Sequence, residues 1–411
     1  VGGSNHSQPG APHPLTVLFT AFEPSGDAHA APVIAALKKA APHIEIAACG
    51  GPRMEQAGAA MIERTADDGA MGLSALSRVS AVRKSQAFIR TWALTRRVNV
   101  HVPVDSPAAN FPLAAFMKSR GARVCHLVAP QLWAWGPWRL GKLRRCTDCV
   151  LCLLPFEEEW FRSRRIPAMF IGHPVINRPL DAEALEAKVR EMPAGSPKIL
   201  LLPGSRSGEV ARNLPLLLKL FSEIQHTHRR ALAIIVTASE ALAQRVRERV
   251  PTLPSSVLLI TGRLDAAIAW SDLALCVSGT VSMDLLRQAK PMVGLYRTGV
   301  LSVLGGKLLL SMPNRLLPNI LAGRRVVPEF VPCVGRAGPI AAAIEELLAD
   351  NSRLRETSAA LRALLPPFHG KKPDEEAAQA ILALATGRNP FAAPSERPAP
   401  ARTGGGRQKL L

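Results

Sequence analysis

Short runs of branched apolar residues alternate with amphipathic stretches along most of this chain, the pattern of parallel α/β layers. Leu15 to Ala21 predicts a strand, and Ser25-Gly26-Asp27 opens a helix over Ala28 to Ala40. Ile44 to Cys49 predicts the next strand, followed by a Gly50-Gly51-Pro52 turn and a short helix. Val98 to Val104 and Arg123 to Val128 read as further strands, with a helix from Pro112 to Ser119 between them. Cys149 to Leu154 is another, closed by Pro155. After Ile171-Gly172-His173-Pro174 the pattern restarts with a strand over Lys198 to Leu202, a loop from Pro203 to Gly208 and a helix from Glu209. Ala231 to Thr237, Val257 to Thr261, Leu273 to Val277 and Pro291 to Leu295 continue the second series.

Two successive βα series of similar size predict an α/β protein with two Rossmann-like domains facing a cleft. The expected divisions are a disordered segment 1–14, a first domain 15–172, a second domain 173–366, a C-terminal helix 367–388 and a disordered basic tail 389–411. No short-period repeat interrupts them.

Composition narrows the partners. With 47% hydrophobic and 20% charged residues in 411, each half can bury a core. Lys plus Arg is 51 against 32 acidic residues, and the resulting +19 favours phosphate-bearing partners: nucleotide, nucleic acid or an anionic membrane face. A single Tyr and no RNP-like aromatic pattern argue against nucleic acid. No apolar run reaches the ~18–20 residues that span a bilayer, and Val1 to Pro14 reads as no secretory signal. Seven cysteines, odd and sparse, suit a reducing cytoplasm. Two segments combine apolar and basic character, Gly72 to Trp92 and Val300 to Met312; packing against a core is the default, and contact with lipid the alternative.

Candidate chemistry gathers at strand ends. In LLPGSRSGEV (201–210) a buried strand ends at Pro203, Gly204 allows a tight turn, and Ser205 and Arg206 precede a helix whose first turn holds Glu209. Such a helix start is an anion site, and Arg206 supplies a bidentate donor for a pyrophosphate. An ordinary βα turn capped by serine fits the same string. Ser278-Gly279-Thr280 repeats the logic, with Asp284 one turn on to meet ribose hydroxyls. In the first half, Glu23, Ser25, Gly26 and Asp27 follow one strand and Asp105 another, where a carboxylate is either a general base or a turn residue. Cys146, Cys149 and Cys152 have period-three spacing on a strand and no second Cys/His cluster, so no metal is expected. Trp133, Trp135 and Trp138 read as packing for a loop.

Together these strings resemble the lipid-A-disaccharide synthase family, glycosyltransferases of the two-domain GT-B type. The resemblance runs from about Leu15 to Leu384 through EPSGD (23–27), GGPRMEQAG (50–58), AMGLSAL (70–76), VDSPAANF (104–111), VAPQLWAW (128–135), TDCVLCLLPFE (147–157), FIGHP (170–174), LLPGSRSGEV (201–210), VSGTVSMD (277–284) and LPNILAGRRVVPEF (317–330). It implies an inverting transfer, without cofactor or catalytic metal, from UDP-2,3-diacylglucosamine to the 6-hydroxyl of 2,3-diacylglucosamine 1-phosphate (lipid X). The products are lipid A disaccharide 1-phosphate and UDP. It further implies an acceptor-side first domain, a UDP-sugar-binding second domain, and C-terminal helices that return to the first. A peripheral place on the cytoplasmic face of the inner membrane and a homodimer complete the expectation. Residue by residue, Asp105 matches the general base and Asn110 keeps its motif, while Glu23, Ser25, Gly26 and Asp27 match the first-strand loop. Gly204, Ser205, Arg206 and Glu209 match the donor loop, Ser278, Gly279 and Thr280 the second phosphate loop, and Asn319 an asparagine near the sugar nucleotide.

The chain departs from the family pattern in four places. Ala108 stands where the motif has a second aspartate, Asp284 where it has glutamate, Gly136 where it has arginine and Phe22 where it has glycine. Two other readings fit these departures: a GT-B transferase with another UDP-hexosamine or lipid acceptor, and a catalytically silent membrane-associated binding protein.

Overall fold

The computed structural model describes residues 15–66, 75–297, 313–333 and 337–391. Among the described residues, thirteen strands form two sheets. The first contains β1 (Thr16–Thr20), β2 (Glu45–Gly50), β3 (Ala60–Arg64), β4 (Val100–Pro103), β5 (Arg123–Leu127), β6 (Cys149–Cys152) and β7 (Ala168–Phe170), in the order β3-β2-β1-β4-β5-β6-β7. The second contains β8 (Lys198–Leu202), β9 (Leu232–Thr237), β10 (Val257–Thr261), β11 (Leu273–Val277), β12 (Met292–Arg297) and β13 (Glu329–Cys333), in the order β10-β9-β8-β11-β12-β13. Pairing is parallel, for example Val17 with Ile46 on one side and Val100 on the other, or Leu201 with Ile235 and Leu275. The central strands are buried on both faces, which is why they read as unbroken apolar runs. Both sheets are Rossmann-like, as the alternating pattern predicts.

In each sheet the strand order reverses once, between β1 and β4 and between β8 and β11. Ligands of open α/β sheets bind beyond the strand ends at such reversals. The loops singled out by sequence follow those four strands.

By packing, the chain forms two compact units. The first takes the described residues up to Leu127, Cys146–Leu151 and those from Asp374 onward; the second takes Val128–Arg145 and Cys152–Pro373. The sheets part between β7 and β8, on either side of His173, whereas packing changes hands earlier, at Val128, and returns at Asp374. The last helix, Pro373–Ala385, thus belongs to the first unit.

Three helices begin earlier than the apolar period predicts, at Pro24, Pro107 and Ser207. Pro24 and Pro107 occupy the first helical turn, where a missing N–H costs nothing. The strands β3 and β13 are absent from the sequence expectation. Both lie at sheet edges, and both break the apolar run, β3 with Glu63 and Arg64 and β13 with Glu329 and Pro332.

Candidate active site

In the first unit, Gly26 sets the geometry. A Cβ there would lie 2.9 Å from the Ala21 Cβ and 3.4 Å from the Val104 carbonyl, so glycine lets the helix Pro24–Ala40 start close against the end of β4. Glu23 and Ser25 are exposed at that start. Asp27 is not available to a substrate, contrary to the sequence expectation. It is 3% exposed, and its carboxylate accepts the backbone N–H groups of Gly51 and Met54 at 3.0 Å and of Arg53 at 3.1 Å. Asp27 caps the helix Pro52–Gln56, and Gly51 is required because a Cβ would lie 2.7 Å from that carboxylate.

Beyond β4, Asp105 and Ser106 adopt left-handed conformations, φ 49° and 40°. The Asp105 N–H donates to Leu127 O at 3.1 Å. Asn110 is fully buried, and its amide holds the turn rather than facing a ligand: Nδ2 donates to Val104 O at 3.1 Å and to Asp105 O at 2.8 Å. His29 is a neighbour that sequence reading missed. Burial lowers its pKa below the ordinary histidine value, and the Asp105 charge works in the opposite direction. The available signal was its spacing, three residues beyond Gly26 on the helix face turned to β4.

In the second unit, the loops after β8, β9, β10 and β11, with the segment 175–188, line a cavity of about 800 Å³. Gly204, Ser205, Arg206, Glu209, Ser278, Gly279, Thr280 and Asp284 all line it. Gly204 has φ 120°, and a Cβ would lie 2.6 Å from the Glu209 Cβ, so this turn needs glycine. Glu209 reaches back to its own helix start: its Oε2 accepts the N–H of Ser205 at 3.0 Å and of Arg206 at 3.3 Å, and Oε1 lies 3.3 Å from the Arg206 guanidinium. Glu209 therefore shapes the loop, and two amides expected for a phosphate are already taken. The Arg206 side chain stays 63% exposed beside its Glu209 partner, open to an anion in the cavity.

The second loop leads from β11 into the helix Val281–Arg287. Ser282 Oγ donates to Gly279 O at 2.8 Å, and Gly279 and Thr280 are exposed. Asp284 sits one turn on, 3.2 Å from the Arg178 guanidinium. Burial raises its pKa, with Arg178 and Arg287 pulling the other way. Arg178 also lies 3.3 Å from Asp265, which pairs with the buried Arg287, a network sequence reading missed because its members are 22 to 109 positions apart.

Asn319 does not line the cavity, which corrects the sequence expectation. It is fully buried: Nδ2 donates to Val327 O at 2.9 Å and Glu329 Oε2 at 3.0 Å, and Oδ1 accepts the N–H groups of Val326 at 2.8 Å and Val327 at 3.0 Å. All its hydrogen-bonding capacity is spent on the 316–329 turn.

Trp133 packs edge-on to Phe156 and donates Nε1–H to Glu157 at 2.9 Å, as a loop-packing residue should. Cys146, Cys149 and Cys152 are buried, and the described residues contain no group of three or more His, Cys, Asp or Glu suited to hold a metal. Of the two apolar-basic segments, Val300 to Met312 lies outside the described residues. The other forms the helix Ala75–Leu94, with Gly72 to Ser74 outside them; Ile89 is buried while Val79 and Phe88 are about half exposed.

Similarities agree with this geometry. Residues 17–383 match the family model described as lipid-A-disaccharide synthetase. The lipid-A-disaccharide synthase of Anaeromyxobacter sp. (strain K) is 34% identical over 355 residues, 84% of this chain and 91% of that protein. That of Myxococcus xanthus is 31% identical over 380 residues, 86% and 99% respectively. Among solved structures, an S. aureus MnaA–UDP complex shares the fold with a TM-score of 0.60 at 11% identity, covering 90% of this chain and 97% of that one. The UDP-GlcNAc 2-epimerase of Neisseria meningitidis bound to UDP-GlcNAc gives 0.53 at 12%, covering 91% and 100%. The chain belongs to the lipid-A-disaccharide synthase family.

Proposed function

We infer that this chain, by its family a UDP-sugar-dependent glycosyltransferase of lipid A biosynthesis, condenses UDP-2,3-diacylglucosamine with lipid X to give lipid A disaccharide 1-phosphate and UDP. The observation carrying this reading is the cavity at the β8/β11 reversal, where Arg206 and Ser278-Gly279-Thr280 meet in a chain of this family. The Asp105 carboxylate takes the proton of the acceptor 6-hydroxyl. That oxygen attacks the donor C1 as the bond from C1 to the diphosphate breaks, and the electron pair leaves on UDP. Arg206 and the start of the helix Ser207–Thr227 offset the charge gathering on the departing diphosphate. Glu23 and Ser25, exposed beyond β1, are the acceptor contacts on this reading; Asp27 and Asn110 hold their loops.

Among the described residues no helix is long and apolar enough to cross a membrane. The half-exposed Val79 and Phe88, with Arg83, Lys84 and Arg90 exposed on the same helix, support peripheral docking on the anionic cytoplasmic face of the inner membrane. Incubation of the purified protein with both substrates tests the reaction. Release of UDP with disaccharide is expected, and Asp105→Ala should slow it by roughly 10²–10⁴-fold. No turnover by the wild type, or an equal rate from Asp105→Ala, would overturn the reading.

A further inference from the structure

Two consecutive non-glycine residues at positive φ, Asp105 and Ser106, strain the backbone. Such a turn persists only where its surroundings over-determine it. Here Asn110 spends both Nδ2 hydrogens on the carbonyls of Val104 and Asp105. Its Oδ1 accepts the Thr20 hydroxyl at 2.7 Å. The reversed amide would set Oδ1 against two carbonyl oxygens, so this orientation is the satisfied one.

A hydroxyl carries one proton, and Thr20 has given its own to Asn110. The 2.9 Å contact from Thr20 Oγ1 to His101 Nε2 must then run the other way, with the ring N–H donating. That fixes the neutral tautomer protonated at Nε2, and Nδ1 is buried without a hydrogen-bond partner. Thr20, His101 and Asn110 are all fully buried, so no water competes for these bonds. Burial independently holds His101 neutral, with its pKa lowered to about 3.

We propose that Thr20 and His101 are positioning residues for Asp105, acting through a one-way relay from the imidazole to the hydroxyl, to the Asn110 amide, to the carbonyls that hold the left-handed turn. The relay draws on β1, β4 and the helix Pro107–Ser119. None of its three side chains touches substrate. The inference rests on Asp105 being the base.

The test compares steady-state kinetics of Thr20→Val, which keeps the shape but neither donates nor accepts, with Thr20→Ser, which does both. Thr20→Val should lower kcat on the order of 10²-fold, with KM for UDP-diacylglucosamine and the affinity for UDP unchanged; Thr20→Ser should restore most of the rate. On an Asn110→Ala background, Thr20→Val should cost little more. Should Thr20→Val not fold, Asn110→Asp serves instead, because a carboxylate accepts from Thr20 yet donates nothing to Asp105 O; it should show the same kcat loss. Wild-type kcat in Thr20→Val or in Asn110→Asp, with Asp105→Ala inactive, overturns the relay. So does a full additional loss from Thr20→Val on the Asn110→Ala background. Wild-type turnover by Asp105→Ala would instead strike the underlying assignment of the base.

Discussion

The turn after β8 and the turn after β4 solve the same problem by opposite means. Both lead a buried parallel strand into a helix, and both use backbone with positive φ, at Gly204 in one and at Asp105 and Ser106 in the other. The β8 turn is self-contained: Glu209, four residues from Ser205, holds its amides at a solvent-facing loop, and glycine absorbs the unusual φ. The β4 turn has no glycine and is held from a distance, by Asn110 and, through it, by Thr20 and His101, 90 and 9 positions from Asn110 along the chain. On the proposed function, a loop that greets a mobile diphosphate can rely on local bonds that rearrange. On the same proposal, a loop that must aim one carboxylate is better fixed by buried bonds that cannot.

The contrast can be broken most forcefully at Arg206. Arg206→Ala should lower kcat/KM on the order of 10²–10³-fold and weaken UDP binding measured by calorimetry, whereas Asp105→Ala should leave UDP binding intact. Equal UDP affinity in Arg206→Ala would remove the charge argument for this loop. Next, Gly204→Val places a branched side chain at φ 120° against Glu209, and donor affinity should fall roughly tenfold or more, with a lowered thermal midpoint because the displaced Glu209 no longer caps its helix.

Acid should separate the units as well. Burial holds His101 and His126 near pKa 3, against about 6.5 when unfolded. The folded state then binds fewer protons, so their contribution is whole above about pH 6.5 and is lost as pH falls toward 3. Hydrogen exchange in β4 and β5 should quicken between pH 7 and 5, by order 1 kcal/mol per histidine, after correction for intrinsic rates. A His101→Gln, His126→Gln double variant should flatten this response. In the second unit the sign reverses, since burial raises Glu157 to about 7. Its contribution is full below the unfolded carboxyl range and is lost as pH rises toward 7, a slope that Glu157→Gln should abolish. Smallest of all, Glu209→Ala should cost the helix Ser207–Thr227 about 1 kcal/mol, read from denaturant midpoints.

The same contrast explains what was legible in the sequence. Central strands announce themselves because burial on both faces selects apolar residues, as in Ile199–Leu202 of β8 and throughout β11. The β8 loop was readable because glycine, arginine and glutamate sit within six positions. The edge strands β3 and β13 were hidden by their polar and proline positions. Asp27 and Asn319 were misread as ligand contacts because buried carboxylate and amide groups that cap backbone look the same in one dimension as groups that meet substrate. Their partners, at 51–54 and 326–329, can be assigned only once the chain has folded. His29 and the Arg178–Asp265–Arg287 network were missed for the same reason.

The Asp27 clamp carries an evolutionary corollary. With an acid oxygen pressed to where any side chain at position 51 would begin, neither site can drift alone: enlarging Gly51 collides with the acid, and shortening Asp27 strands three amide hydrogens. The two positions should therefore change only together, and randomising both at once should recover rare functional pairs that no stepwise path through single replacements would reach.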